Sequence, residues 1–310
     1  MELTKKKYSA QVFITTRNRL QTLRLTIASV LAQTRNDFEI IVSDNSTNTD
    51  TEKAIQSFTN ERFSYRKRPN LGVIEHFNTI LSEVKAENFM IFHDDDIMYP
   101  GMVEKLLDAL CKNDQVAAVG ANAYLNVFGK TTTKFFMRDA KADVLLANAD
   151  QVVEHYYMRK NGIVPFPSYM YKKIVSDKLR FVPEHGMESC DVAFVMDITS
   201  LGNILMLQQP LMDYSLHGGQ VSSRGLFQGQ MKLIRYIGKQ TQISRRQKEM
   251  KLFRIRAIYG ELRDRLLTKK IAVFSRRYFK IGRLLAAYSP LEYFPKAMII
   301  TVLAEFRTPS

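Results

Sequence analysis

The first 120 residues alternate between two kinds of hydrophobic pattern. Short apolar runs rich in Val, Ile and Phe predict buried strands at 10–16, 38–42, 63–66, 89–92 and 116–120. Between them, apolar residues recur at helical spacing, which predicts helices at 20–31, 54–58, 74–84 and 102–111. This alternation is typical of an α/β fold with a mostly parallel sheet flanked by helices.

Polar clusters follow three of the predicted strands. They are Thr15 to Asn18, Ser43 to Ser46, and His93 to Asp96. The carboxyl ends of parallel strands meet at one edge of a sheet, and open α/β sheets bind ligands there. We therefore expect the three clusters to line one site of a size that suits a nucleotide.

The third cluster contains three consecutive carboxylates, Asp94, Asp95 and Asp96. In an extended segment alternate side chains share a face, so Asp94 and Asp96 would point together and Asp95 away. Two convergent carboxylates repel unless a cation lies between them, and a hard divalent ion that also binds phosphate oxygens is the usual solution. The alternative is a solvated acidic turn before the helix that begins near Pro100.

Two common nucleotide-binding motifs are absent from the sequence. No Gly-x-Gly-x-x-Gly follows the first strand, and no Gly-x-x-x-x-Gly-Lys-Ser/Thr occurs anywhere. The sequence therefore gives no motif support for a nicotinamide-binding Rossmann domain or for a P-loop enzyme.

Five motifs occur in the order in which they occur in family 2 glycosyltransferases. They are Val12–Asn18, Leu31–Thr34, Glu39–Ser46, Asn70–Gly72 and His93–Asp96. The chain resembles a bacterial enzyme of this family, clearly from about Ser9 to Cys111 and more weakly to Ser223. The resemblance implies a GT-A fold, Rossmann-like and dependent on a nucleotide-sugar, over residues 1–223.

The resemblance also implies roles for individual residues. Asp44 would accept a hydrogen bond from the N3–H of uracil or thymine, so the donor would be a UDP- or dTDP-sugar. The residues bordering the nucleotide would be Thr15, Thr16, Asn18, Asp44, Asn70, Gly72, Asp94 and Asp95. The metal, Mn²⁺ or Mg²⁺, would be held by Asp94, Asp95, Asp96 and His217.

A candidate catalytic base lies further along the chain. An apolar helix is predicted to begin just after Ser189 and to close at Gly202, which places Asp191 in its first turn. There the helix dipole favours the ionised carboxylate. The family usually has Glu-Asp at this point, and Asp191 keeps the family's spacing to Gly202, whereas Cys190 replaces the Glu. The resemblance therefore implies that Asp191 is the base, with Glu188 as the alternative. A purely structural role is also open, in which Asp191 only stabilises the N-terminus of the helix.

The family's closing Tyr-Arg-x-His pattern is matched at Tyr214–His217, with Ser215 where Arg is common. This departure removes one expected phosphate contact. The metal role of His217 rests on the resemblance, because a lone His before Gly-Gly is also typical of a turn. An imidazole ligand would favour Mn²⁺ somewhat over Mg²⁺.

Positive charge is concentrated in the last 87 residues. Residues 224–310 contain 20 Lys and Arg against 5 Asp and Glu, so their net charge is +15 in a chain whose total is +14. Broken apolar stripes between the basic clusters predict a basic amphipathic helical region that lies on a membrane surface. Its stripes could instead bury themselves in a homo-oligomer.

The sequence has two cysteines, no signal-peptide core at its N-terminus and no apolar run of spanning length. These features predict a cytoplasmic protein, and the basic region predicts that it is peripheral on the inner face of the membrane. The expected activity is inverting transfer of a sugar to a cell-surface polysaccharide or a lipid-linked glycan. The rivals are a nucleotidyltransferase, which would need a Gly-rich basic loop after the first strand, and a non-enzymatic nucleic-acid-binding protein using the basic tail. No nucleic acid is expected, because no recognised nucleic-acid module accompanies the charge.

Overall fold

A computed structural model of the protein describes residues 8–55, 58, 60–138, 141–157, 162–216 and 226–239. The strands are β1 (Ala10–Thr16), β2 (Phe38–Asp44), β3 (Phe63–Lys67), β4 (Asn88–His93), β5 (Ile97–Met98), β6 (Val116–Val127), β7 (Lys130–Phe135), β8 (Val144–Leu146), β9 (Met170–Lys172) and β10 (Asn203–Leu216). The helices are α1 (Leu20–Leu31), α2 (Asp50–Ile55), α3 (Val73–Ser82), α4 (Met102–Cys111), α5 (Ala149–Tyr157), α6 (Lys173–Lys178), α7 (Cys190–Ile198) and α8 (Leu226–Lys239). Short 3₁₀ turns occur at Phe166–Ser168, Pro183–His185 and Met187–Ser189.

One mixed sheet forms the centre of the fold. Its order is β3-β2-β1-β4-β9-β6-β10-β5, with β7 paired to β6 and β8 to β10. The first four strands are mutually parallel, and β6 and β10 run in the same direction as they do, because β9 is antiparallel to both β4 and β6. The predicted α/β class and mostly parallel sheet flanked by helices are confirmed.

The buried strands account for this arrangement. Every residue of β1 except Thr15 is buried, and so is the apolar run Phe89–Phe92 of β4. Such strands need cover on both faces, and α1 and α4 contribute their apolar stripes, including Leu23, Ile27 and Leu106, to the same core.

Three predicted elements differ from the observed ones. The strand predicted at 116–120 continues to Val127, because it pairs with β10 along most of its length. The helix predicted around 54–58 runs from Asp50 to Ile55. The helix predicted to close at Gly202 ends at Ile198. Phe166 to Tyr171 forms a 3₁₀ turn and the start of β9, and Tyr169 and Tyr171 are fully buried.

The described residues fall into two compact units. One comprises 8–183 and 191–216, and the other comprises 184–190 together with 226–239. In the second unit the His185 and Tyr236 rings stack with centroids 3.7 Å apart. Most of the predicted basic region lies outside the described residues, so its helical character and the division at residue 223 remain predictions.

Candidate active site

Strands β1, β2 and β4 bring the three polar clusters to one edge of the sheet. Thr16 at the end of β1 lies beside Asp44 at the end of β2, and Thr15 lies beside His93 at the end of β4. The Thr16 hydroxyl donates to Asp94 Oδ2 over 2.6 Å, while the Thr15 hydroxyl donates to the Phe92 carbonyl oxygen over 3.3 Å. The three polar clusters therefore meet at the carboxyl edge of the sheet, as predicted.

Asp44 is fully buried and accepts three hydrogen bonds. Oδ2 accepts from the Tyr65 hydroxyl at 2.6 Å and from Lys67 Nζ at 3.2 Å, and Oδ1 accepts from the Ser46 amide at 2.8 Å. Burial raises the pKa of Asp44, but these hydrogen bonds outweigh burial, so the pKa lies below its ordinary value. The group is a carboxylate at neutral pH, and acceptor capacity remains on Oδ1.

Tyr65 and Lys67 were not among the residues expected at the site. Both belong to β3, whose parallel pairing with β2 sets Lys67 opposite Asp44. From the sequence alone, polar side chains in this strand are only a weak indication of a site, since exposed Tyr and Lys are common on edge strands.

Asparagines hold the two loops that border this edge. Asn18 and Asn70 adopt left-handed backbone conformations, with φ of 57° and 54°, which Asn tolerates better than most residues. Asn18 Oδ1 accepts from the Thr47 amide at 2.9 Å, and Asn70 Oδ1 accepts from Arg17 at 2.8 Å. Gly72 precedes α3 at its N-terminus. These contacts give Asn18 and Asn70 a loop-shaping role in this structure.

Asp94 and Asp95 form a turn that follows β4, and Arg19 bridges them. Arg19 Nη1 lies 2.7 Å from Asp95 Oδ2 and 3.3 Å from Asp94 Oδ1. Burial raises the pKa of Asp94 to about 6, in spite of the hydrogen bond from Thr16. Arg19 is a site residue that the sequence reasoning did not single out, although it lies in the loop after β1.

His93, Asp95 and Asp96 form a cluster that could hold a metal ion, because one ligand atom from each lies within 4.8 Å of the others. Asp96 is buried; its Oδ1 accepts the Ser215 amide at 2.9 Å, and its Oδ2 has no hydrogen-bond partner among the described residues. Burial, and next the charge of Asp95, raise the pKa of Asp96 well above its ordinary value. A buried carboxylate oxygen beside another carboxylate is a fitting ligand for a divalent cation.

The grouping differs from the predicted one, in which Asp94 and Asp96 shared a face. Alternation holds only for extended backbone, and Asp94 and Asp95 are in a turn, so Asp95 joins Asp96 while Asp94 turns to Thr16. His93 was named in the cluster but not as a ligand. It stacks on Phe77, and burial lowers its pKa, which keeps the imidazole in the neutral form that binds metals. His217, the predicted ligand, lies outside the described residues.

Asp191 is in the first turn of α7, which begins where the sequence predicted. Burial raises the pKa of Asp191 to about 6, and the amides of Val192 and Asp191 oppose this only in part. The helix terminus was expected to favour the charged form, but loss of solvent is the larger effect. A carboxylate with this pKa is suited to accept a proton near neutral pH. Nothing is described of the Glu188 side chain.

A group of tyrosines lies around Asp191. The Asp191 charge raises the pKa of Tyr156, Tyr169, Tyr171 and Tyr214, in each case after the larger effect of burial. Tyr214 is also raised by Asp96 and by Asp95. The pKa of Tyr214 therefore responds both to the acidic cluster and to Asp191.

Comparison with known proteins agrees with this geometry. Residues 11–164 match the model of glycosyl transferase family 2. Residues 11–164, about half of the chain, therefore correspond to a family 2 glycosyltransferase domain. An uncharacterised glycosyltransferase of Haemophilus influenzae is 27% identical over an alignment of 228 positions, which covers 68% of this chain and 67% of that protein. These matches favour a glycosyltransferase over the nucleotidyltransferase and nucleic-acid-binding alternatives.

Two solved structures share the fold of this chain at low identity. S. aureus TarS 1–349 in complex with UDP-GlcNAc has a TM-score of 0.64 and 12% identity, covering 96% of this chain and 89% of that one. The mannosyltransferase PcManGT from Pyrobaculum calidifontis, in complex with GDP-Man and Mn²⁺, has a TM-score of 0.54 and 13% identity, covering 97% and 87%. Both likenesses establish a GT-A type of fold.

Proposed function

We propose that the protein is an inverting glycosyltransferase that moves a sugar from a UDP- or dTDP-sugar to a cell-surface polysaccharide or a lipid-linked glycan. The observation that carries the proposal is the buried Asp96 Oδ2, which has no hydrogen-bond partner among the described residues and clusters with Asp95 and His93. A donor diphosphate with a divalent cation would satisfy that oxygen.

Asp44 would select the base of the donor. Its ionised carboxylate, held by the Tyr65 hydroxyl and the Ser46 amide, can accept the N3–H of uracil or thymine on Oδ1. TarS supports a uridine donor, because that structure contains UDP-GlcNAc. Thr15, Thr16, Asn18, Asn70, Gly72 and the Asp94–Asp95 turn would border the rest of the nucleotide.

The donor set suits Mn²⁺ or Mg²⁺. His93, Asp95 and Asp96 would hold the ion, with His217 and Asp94 as further candidates, and the neutral His93 imidazole favours Mn²⁺. When bound, such an ion neutralises charge on the diphosphate leaving group. The Mn²⁺ in the PcManGT complex supports this assignment.

Asp191 would act as the general base. It takes the proton of an acceptor hydroxyl, whose oxygen forms a bond to the anomeric carbon while the bond from that carbon to the diphosphate oxygen breaks. The nucleoside diphosphate leaves from the opposite face, so the anomeric configuration is inverted. Proton transfer of this kind typically contributes about 10²–10⁴-fold to the rate.

Residues 224–310 would bring the enzyme to its acceptor. Their net charge of +15 suits an anionic membrane surface, and we propose a cytoplasmic enzyme bound peripherally to the inner face of the membrane. Within the described part of the chain, no helix combines the length and apolar character needed to cross a bilayer. Self-association through the same region is the alternative.

A screen of nucleotide sugars tests the proposal. UDP-, dTDP- and GDP-sugars are incubated with the purified chain with and without Mn²⁺ or Mg²⁺, and released nucleoside diphosphate is measured. We expect release from a UDP- or dTDP-sugar that requires the ion. Asp96→Asn should abolish it, and Asp114→Asn, at an exposed position, should not. Release of no nucleotide from any donor, or release from GDP-sugars alone, contradicts the proposal.

Transfer to an identified acceptor allows a test of the stereochemistry. The anomeric configuration of the product, determined by NMR, should be opposite to that of the donor. Retention would exclude the single displacement with Asp191 as base.

A further inference from the structure

The hairpin between β6 and β7 carries an unusually exposed aromatic side chain. Phe128 is 79% exposed, whereas the aromatic residues of the core are fully buried. Its backbone φ is +49°, in the left-handed region that a bulky residue seldom adopts. Gly129 follows with a φ of +82°, so the two residues form a tight hairpin turn that needs positive φ at both positions and that fixes Phe128 at its tip. The hairpin tip, residues 127–130, is therefore a candidate contact surface.

Strand register brings the hairpin tip to the catalytic edge. Asn126 pairs with Ser215 and Val127 with Leu216, and the Phe128 amide donates to the Leu216 carbonyl over 3.3 Å. Ser215 in turn donates its amide to Asp96. With a strand spacing of about 4.8 Å and a rise of about 3.3 Å per residue, the Cα atoms of Phe128 and Ser215 are roughly 8 Å apart.

The hairpin is also tied to β10 beside the acidic cluster. The Thr131 hydroxyl donates to Asp213 Oδ2 over 2.6 Å, and Asp213 Oδ1 accepts from the Tyr99 hydroxyl. These partly buried contacts hold β7 against the strand that supplies Ser215. The hairpin that carries Phe128 is thus held by hydrogen bonds to the same strand that contacts Asp96.

The chemistry of the hairpin suits a glycan. No Asp or Glu occurs from 115 to 138, and the exposed residues after Phe128 include Lys130, Lys134 and Thr133. Hydroxyl and ammonium donors complement sugar hydroxyl groups, while an exposed aromatic face offers an apolar surface to the C–H face of a pyranose ring.

We propose that Phe128 is a stacking platform for a pyranose ring of the acceptor, with Lys130 beside it as a hydrogen-bond donor. This inference rests on the proposed glycosyl transfer and names the part of the protein that receives the acceptor. Its closeness to Ser215 and Asp96 favours the acceptor over a membrane surface as the occupant. A single aromatic contact of this kind changes binding by about three- to tenfold.

The test compares Phe128→Ala with Phe128→Tyr, which keeps the ring. Leu145→Ala is the matched control, because Leu145 is 46% exposed and lies on β8 opposite Leu205, towards the other end of β10. The probes are methyl β-glycosides of glucose, galactose, mannose and N-acetylglucosamine. Their binding to the full chain is measured by ligand-observed NMR in the presence of UDP and Mg²⁺, and the acceptor KM is measured for any that is glycosylated. Calorimetric binding of UDP reports whether each variant is folded.

We expect Phe128→Ala to weaken glycoside binding, or to raise the acceptor KM, by about three- to tenfold. Phe128→Tyr and Leu145→Ala should behave as the wild type. Unchanged binding and KM in Phe128→Ala, or binding of none of the four glycosides to the wild type, overturns the inference. Loss of flotation with anionic liposomes at unchanged KM assigns Phe128 to the membrane and also overturns it. Failure of the proposed function is seen separately, as the absence of nucleotide release from every donor.

Discussion

Replacing Asp191 by Asn should change activity and stability in opposite directions. The proposed base is lost, so kcat should fall by about 10²–10⁴-fold while binding of the donor nucleotide stays nearly intact. In the wild type, a pKa of about 6 means that about one-tenth of Asp191 is ionised at pH 5 and about nine-tenths at pH 7. The wild-type kcat should therefore rise about tenfold between these pH values. At the ordinary pKa of 3.8 it would be nearly flat.

The same shift predicts a gain in stability for the variant. The pKa of Asp191 is raised in the folded protein, so the folded state binds this proton more tightly than the unfolded chain. Stability is consequently lost as pH rises from about 4 to about 6, and the loss is complete above that range. The full shift corresponds to about 3 kcal/mol. Asp191 keeps some contact with solvent, which screens its charge, so we expect about 1–3 kcal/mol.

Two assays distinguish the loss of a catalytic base from general damage to the fold. Steady-state kinetics from pH 5 to 8 give the activity profile, and thermal unfolding at pH 4 and pH 7 gives the stability change. Asp191→Asn should raise Tm at pH 7 by about 2–8 °C, and by much less at pH 4. Asp114→Asn, at an exposed position, should alter neither property. An Asp191→Asn protein that keeps its activity, or that loses both activity and stability at pH 7, would refute the argument.

Chelation should abolish turnover, and Asp96→Asn should abolish activity or greatly raise the metal concentration that it requires, because the unpartnered Asp96 Oδ2 is the proposed ligand atom; undiminished activity in chelator would exclude a metal role. Asp44→Ala should weaken UDP binding by about 10–100-fold in calorimetry, since a charged hydrogen-bond acceptor is lost, and wild-type binding of GDP in preference to UDP and dTDP would contradict the assignment. Removing residues 224–310 should abolish salt-sensitive flotation with anionic liposomes, because these residues carry the +15 charge. If the full chain ignores such vesicles and the truncation converts an oligomer to a monomer, the region mediates self-association.

The class of fold, and the sheet edge at which the polar clusters meet, could be predicted from the sequence alone. Strand and helix periods are local properties, so apolar runs such as those ending at Thr16 and His93 could be recognised without any structure. Parallel strands then had to bring their polar ends together, as the Thr16–Asp94 hydrogen bond shows. The start of α7 at Cys190, which places Asp191 in its first turn, was also encoded locally, in an apolar stretch that follows Ser189.

The grouping of the side chains and their pKa values depend on the tertiary structure and could not be predicted from the sequence. Asp95 rather than Asp94 accompanies Asp96, because the chain turns after His93 and alternation no longer applies. Arg19 and Tyr65 reach the site through contacts between segments far apart in sequence. The raised pKa of Asp191 reverses the expectation from its helix terminus, because burial depends on how the whole fold packs around it and the helix dipole acts only over the first turn.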